Sequence, residues 1–126
     1  MRLAYAIKFV ADMDRAIAFH RDTLGLPLLF ASPFWSEFAT GDTKLALHIA
    51  DGEHPAGHVR LGYAADDLQA FYDRREASGV TFIESPREQH GTRIATFLDC
   101  EGAECSMSGR ALKVAHGDIE ILLGRK

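Results

Sequence analysis

The sequence predicts an α+β fold: two tandem βαβββ modules forming a curved mixed sheet around a cavity, with the helices outside. Three observations predict it. Short apolar strand-like runs alternate with helix-period segments in the same order twice. The two passes are offset by about 52–54 residues, so Asp14-Arg15-Ala16-Ile17-Ala18-Phe19-His20 aligns with Asp66-Asp67-Leu68-Gln69-Ala70-Phe71-Tyr72. Finally, 126 residues, 47% of them apolar, suffice for one compact domain but not for two ordinary ones. A half-size module exposes a whole sheet face and needs a second module beside it.

The elements follow in order. Leu3 to Val10 is short, apolar and aromatic, with Lys8 its only charge, and reads as a strand. Asp12 is placed to cap a helix whose residues Met13, Ala16, Ile17, His20 and Leu24 recur at helical spacing. Gly25 ends that helix and Pro27 follows it. Strands are expected over 26–31, 34–40 and 44–50, separated by Ser32-Pro33 and Gly41-Asp42. In the last of these, Leu45, Leu47 and Ile49 face one way and Lys44, Ala46 and His48 the other.

A polar linker, Asp51 to Gly57, leads to the second pass. A strand is expected over 58–64. Asp66 is read as the cap of a helix, with Gln69 completing a capping-box-like pair. Leu68, Phe71 and Tyr72 mark the buried face of that helix, and Gly79 ends it. Strands are expected over 80–84, 91–98 and 103–108, with Asp99-Cys100-Glu101-Gly102 as a turn. Residues 109–126 form a tail outside the repeat, with Asp118 to Leu123 read as a further strand or a short helix, the strand being favoured. The domain is thus one unit of 1–126, with modules at about 1–51 and 57–108.

Composition narrows the function classes. A formal net charge of −4 offers no basic excess for releasing counterions from phosphate, so nucleic acid is not the expected partner. No apolar run approaches the roughly 20 residues that span a bilayer. Cys100 and Cys105 are the only cysteines and lack CxxC spacing, which fits a reducing, cytoplasmic setting.

The duplicated plan resembles the vicinal oxygen chelate superfamily, which includes glyoxalase I, extradiol dioxygenases, fosfomycin-resistance enzymes and metal-free bleomycin-resistance proteins. The resemblance spans about residues 1–108 and is nearest to bacterial glyoxalase I. It is carried by Met1-Arg2-Leu3, Val10 to Arg15, Phe19 to Gly25, Gly57-His58-Val59 and Asp99-Cys100-Glu101-Gly102. It implies a scaffold rather than one reaction. It also implies a small-molecule ligand and a homodimer. In the metal enzymes of the family, ligands come from the first and last strand of each module; in glyoxalase I they are His or Gln, Glu, His and Glu. Carried over position by position, they fall on Tyr5, His48, His58 and Ser106. His48 and His58 suit zinc, nickel, iron or manganese. Tyr5 and Ser106 are poor ligands, so the implied set is incomplete; both are candidate substrate contacts, with Tyr5 also a candidate further ligand.

Further candidates follow from the residues. Glu104 shares a strand face with Ser106, about 6.5–7 Å away, and is the candidate for the missing base and a further ligand. Trp35 and Phe38 are candidate walls of an apolar ligand cavity. Arg60 and Arg93 are candidate anion contacts. His90 precedes Gly91 in a loop that the resemblance implies closes over the cavity, which makes it a candidate substrate contact. His20 reads as a packed core histidine, and His54 and His116 as solvated. Two functions follow: a glyoxalase-type lyase or isomerase using a divalent ion on a small oxygenated substrate, or a metal-free protein that sequesters a small molecule. The acidic balance favours a cationic ligand in the second case.

Overall fold

The structure, a computed structural model, describes residues 1–89 and 91–109. The chain divides into two compact units, Leu3–Leu61 and Met1–Arg2 together with the residues from Gly62 onward. The tail strand, His116 and the substrate-contact candidate His90 lie outside the described residues.

The N-terminal unit runs β1 (Arg2–Val10), α1 (Met13–Ala18), β2 (Leu28–Phe30), β3 (Trp35–Ala39) and β4 (Lys44–Ile49). Its sheet order is β2-β3-β4-β1, with β1 and β4 parallel and the other pairs antiparallel. The parallel strands β1 and β4 are joined through α1, β2 and β3, the long connection that a parallel pair requires. The C-terminal unit repeats this plan with β5 (Val59–Ala64), α2 (Leu68–Asp73), α3 (Arg75–Ser78), β6 (Thr81–Gln89), β7 (Thr92–Leu98) and β8 (Glu104–Gly109). Its order is β6-β7-β8-β5, with β5 and β8 the parallel pair. The predicted α+β class and the tandem βαβββ modules are what the chain adopts. The boundary between units falls inside β5.

Each sheet has one helix-packed face. In the N-terminal unit Val10, Phe38 and Leu47 meet Met13 and Ile17 of α1 in a buried cluster. Phe38 and Leu47 are fully buried, contributing about 1.5–3 kcal/mol each. In the C-terminal unit Ala95 and Met107 meet Leu68 of α2. The alternation in β4 holds: Leu45, Leu47 and Ile49 face the helix, as their sequence pattern required.

Three local expectations are corrected. Helix α1 ends at Ala18 and continues as a π-helical turn over Phe19–Thr23. Its cap is Asp12, whose side chain accepts from Arg15 N as expected. The second helix is capped by Asp67 rather than Asp66, with Asp67 accepting from Ala70 N at 3.0 Å. Gln69 accordingly bonds forward to Asp73 instead of back to a cap. Strand β6 extends five residues beyond Glu84, with Pro86 left unpaired at the register shift between Glu84 and Arg87. Gly25 (φ 75°) and Gly79 (φ 80°) take the left-handed conformation that ends both helical segments.

Candidate functional site

The register of the N-terminal sheet decides which side chains share its helix-free face. Tyr5 pairs with Lys44, Phe9 with His48, and Trp35 with His48. Alternation then places Tyr5, Ile7 and Phe9 of β1, Trp35 and Glu37 of β3, and Lys44, Ala46 and His48 of β4 on one side. Ile7, Phe9 and Ala46 are buried there, with Tyr5 and Trp35 half-buried against them.

Glu37 is the chemical centre of this face. It lies mid-strand and is only 8% exposed. The Trp35 indole N–H donates to Glu37 Oε2 at 2.8 Å, and the Tyr5 hydroxyl donates to the same oxygen at 3.4 Å. Lys44 Nζ lies 3.6 Å from Oε1 and 5.9 Å from the centre of the Tyr5 ring. The Tyr5 and Trp35 rings meet edge-to-face at 5.8 Å. A buried carboxylate needs such donors to offset its desolvation. The sequence reading did not single out Glu37. The available signal was a lone carboxylate two residues after Trp35, inside an otherwise apolar strand.

Phe9 anchors the histidines. It is 2% exposed, and its ring centre lies 4.8 Å from that of His48, 4.7 Å from His54 and 5.7 Å from His58. The His54 ring is stacked on it at 12°. The expectation of a solvated His54 is therefore corrected: Asp51 turns the linker back by accepting from the amides of Glu53 and His54. His54 Nδ1 also reaches Asp51 Oδ1 at 3.2 Å, and Arg60 Nη2 lies 3.5 Å from His54 Nε2. A carboxylate only accepts, so Nδ1 carries the proton and Nε2 accepts from Arg60. These bonds to His54 lower the pKa of Asp51, the backbone N–H of His54 being the largest cause. In His48, Nδ1 lies 2.8 Å from the Ile49 carbonyl, so in the neutral imidazole the proton sits there and Nε2 presents a lone pair.

The remaining candidates separate. Phe38 packs in the helix-side core, fully buried, because strand alternation turns it away from Trp35 and Glu37; its expected place as a cavity wall is corrected. His20 is the packed histidine expected, with Nδ1 2.8 Å from the Ala16 carbonyl. Arg93 donates to Gln69 Oε1 at 2.7 Å. Ser106 and Glu104 lie on β8 of the C-terminal unit. There Glu84, Thr96 and Ser106 form one row across β6, β7 and β8, with Thr96 donating to Glu84 at 2.7 Å. Glu84 also pairs with Arg87 at 3.0 Å.

The donor chemistry bears on a resident metal. His48 and His58 approach the same Phe9 ring, but Tyr5 directs its hydroxyl at Glu37. Among the described residues no three His, Cys, Asp or Glu side chains gather as a metal ion requires. The described residues therefore do not fit a divalent ion. Among them, too, no helix is long and apolar enough to cross a membrane.

A family model, the Glyoxalase/Bleomycin resistance protein/Dioxygenase superfamily, matches residues 2–106. No curated protein matches the chain by sequence. Among solved structures, methylmalonyl-CoA epimerase from Mycobacterium tuberculosis is similar at a TM-score of 0.74 and 22% identity, covering 90% of this chain and 91% of that one. A glyoxalase/bleomycin resistance protein/dioxygenase superfamily member from Vibrio splendidus 12B01 is similar at 0.64 and 12% identity, covering 86% of this chain and 97% of that one. A variant of Streptomyces coelicolor methylmalonyl-CoA epimerase in complex with 2-nitronate-propionyl-CoA is similar at 0.72 and 19% identity, covering 89% of this chain and 99% of that one. At these identities the likeness shows the fold. With the family match over most of the chain and the doubled βαβββ plan, this protein belongs to the Glyoxalase/Bleomycin resistance protein/Dioxygenase superfamily.

Proposed function

We propose that this protein binds a small organic molecule on the helix-free face of its N-terminal unit, without a resident metal ion. One observation carries the reading: Tyr5, Phe9 and Trp35 share that face with the buried carboxylate of Glu37 and with His48. Aromatic walls with a few fixed polar groups are the usual make-up of a small-molecule site. Trp35 and Tyr5 supply planar surface, His48 Nε2 an acceptor, and Glu37 a fixed negative charge. The other face is already filled by α1. A metal-dependent lyase or isomerase needs a third donor that the described residues do not bring to His48 and His58.

Trp35 is the only tryptophan, so its fluorescence reports on the face directly. Three probes share one ring and differ in charge: benzyl alcohol, benzylamine and benzoate. At least one is expected to change Trp35 emission saturably, with Kd of about 1 mM for so small a ligand, and unaltered by a chelator. Saturable binding that requires a stoichiometric divalent ion, and is lost with that ion in His48→Ala and His58→Ala, would overturn the reading in favour of a glyoxalase-type metal enzyme. Absence of saturable binding by all three would remove it altogether.

A further inference from the structure

We infer that the corner formed by Glu37, Tyr5 and Trp35 is an ammonium-binding subsite, and that Lys44 occupies it when no ligand is present. The inference rests on the small-molecule reading above and specifies the charge of the ligand. The supporting observation is where the Lys44 ammonium sits. Nζ is 3.6 Å from Glu37 Oε1 and 5.9 Å from the Tyr5 ring centre. A cation is thus held between a carboxylate and an aromatic face, the pairing by which proteins recognise amines.

The rest of the corner is fixed in advance. Trp35 and Tyr5 both donate to Oε2, which sets the carboxylate plane and leaves the Oε1 side for the cation. The Glu37 side chain is 11% exposed, whereas the Lys44 side chain is 33% exposed. The carboxylate is therefore the buried, built part of the site, and the lysine is the part that reaches in from solvent. Lys44 begins β4 next to the Gly41-Asp42 turn, so its flexible stem can leave without disturbing the sheet. Its departure would leave Glu37 as a buried carboxylate lacking a cation, a costly state that a ligand ammonium relieves. The chemical class that fits is a primary or substituted ammonium attached to a planar or apolar body, with the body lying along Trp35.

The test uses the full-length protein and Trp35 emission, with benzylamine as the probe and benzyl alcohol and benzoate as its controls. In Lys44→Ala, benzylamine is expected to bind about five- to tenfold more tightly than in the wild type, because the competing ammonium is gone. Benzyl alcohol should be unaffected by that change. Glu37→Gln keeps the shape and the acceptor for Trp35, and in it benzylamine should weaken about tenfold or more, to the level of benzyl alcohol. Lys44→Ser provides the same vacancy should the alanine variant fail to fold, as judged by circular dichroism. Equal binding of benzylamine and benzyl alcohol in the lysine variants, or undiminished benzylamine binding in Glu37→Gln, would overturn the ammonium subsite. In either case the small-molecule reading stands so long as benzyl alcohol binds saturably. If benzoate alone binds, and binds less well without Lys44, the subsite takes anions and the inference is wrong.

Discussion

The two units share a topology and differ in what they place on the helix-free face. In the N-terminal unit that face holds Tyr5, Phe9, Trp35, His48 and a buried Glu37. In the C-terminal unit the corresponding row is Glu84, Thr96 and Ser106, with small hydroxyl groups and a carboxylate whose side chain is 52% exposed. The helix-packed faces show no such divergence: each is an apolar cluster against one helix. The two modules thus share the half that makes the fold and differ in the other half. A buried, donor-satisfied carboxylate among aromatic rings is far more constraining than an exposed one beside an arginine. That asymmetry is why the ligand face is assigned to the first unit.

Phe9→Ala should destabilise the protein by about 3–5 kcal/mol, because it empties a buried ring site and removes the surface on which three imidazoles rest. Urea denaturation reads this directly. A loss under about 1 kcal/mol would mean that the histidines are held in some other way.

In the C-terminal unit Gly109 is closely packed: an added Cβ would come within 2.5 Å of the Leu68 Cβ. Gly109→Ala should cost about 1–3 kcal/mol as α2 is pushed from β8. The same denaturation series detects it.

Trp35→Phe and Thr96→Val compare the two carboxylates. Trp35→Phe strips a 2.8 Å donor from buried Glu37; it should cost about 1–3 kcal/mol and weaken probe binding, followed by NMR. Thr96→Val strips a 2.7 Å donor from exposed Glu84, which water can replace, and should cost about 0.5–1.5 kcal/mol without affecting binding. A larger cost for Thr96→Val would reverse the ranking of the two faces.

The smallest effect is a pH response at Asp51. Its folded pKa lies below the ordinary value of 3.8, so its contribution is present above that value and fades as pH falls through the folded pKa. The amide signals of Glu53 and His54 should shift over that acidic window and stay constant in Asp51→Asn. No shift below pH 4 would separate the linker turn from Asp51.

Much of the fold was legible because it is local. Alternation in 44–49, the Asp12 cap and the glycines at 25 and 79 each act within a few residues. The capping-box pattern at Asp66 misled by one residue, since Asp66 and Asp67 both fit an N-cap and tertiary packing of Leu68 decides between them. The π-helical turn after Ala18 had no composition signal. The candidate site was half legible. His48, Tyr5 and Trp35 follow from strand faces, and they do meet. Phe38 was misassigned because an aromatic residue reads the same on either face. Glu37 and His54 escaped because their significance lies in partners distant in the chain, or in a linker that folds back: Tyr5 is 32 residues from Glu37, and His54 reaches Phe9 only through the Asp51 turn.

The most direct measurement of the asymmetry is an NMR titration of the ¹⁵N-labelled protein with benzylamine, following the amides of both faces and the Trp35 indole N–H in one experiment. Saturable shifts are expected to cluster at Tyr5, Trp35, Glu37 and Lys44, with Glu84, Thr96 and Ser106 unmoved. Shifts centred on Glu84, Thr96 and Ser106, with the Trp35 indole unmoved, would contradict that asymmetry.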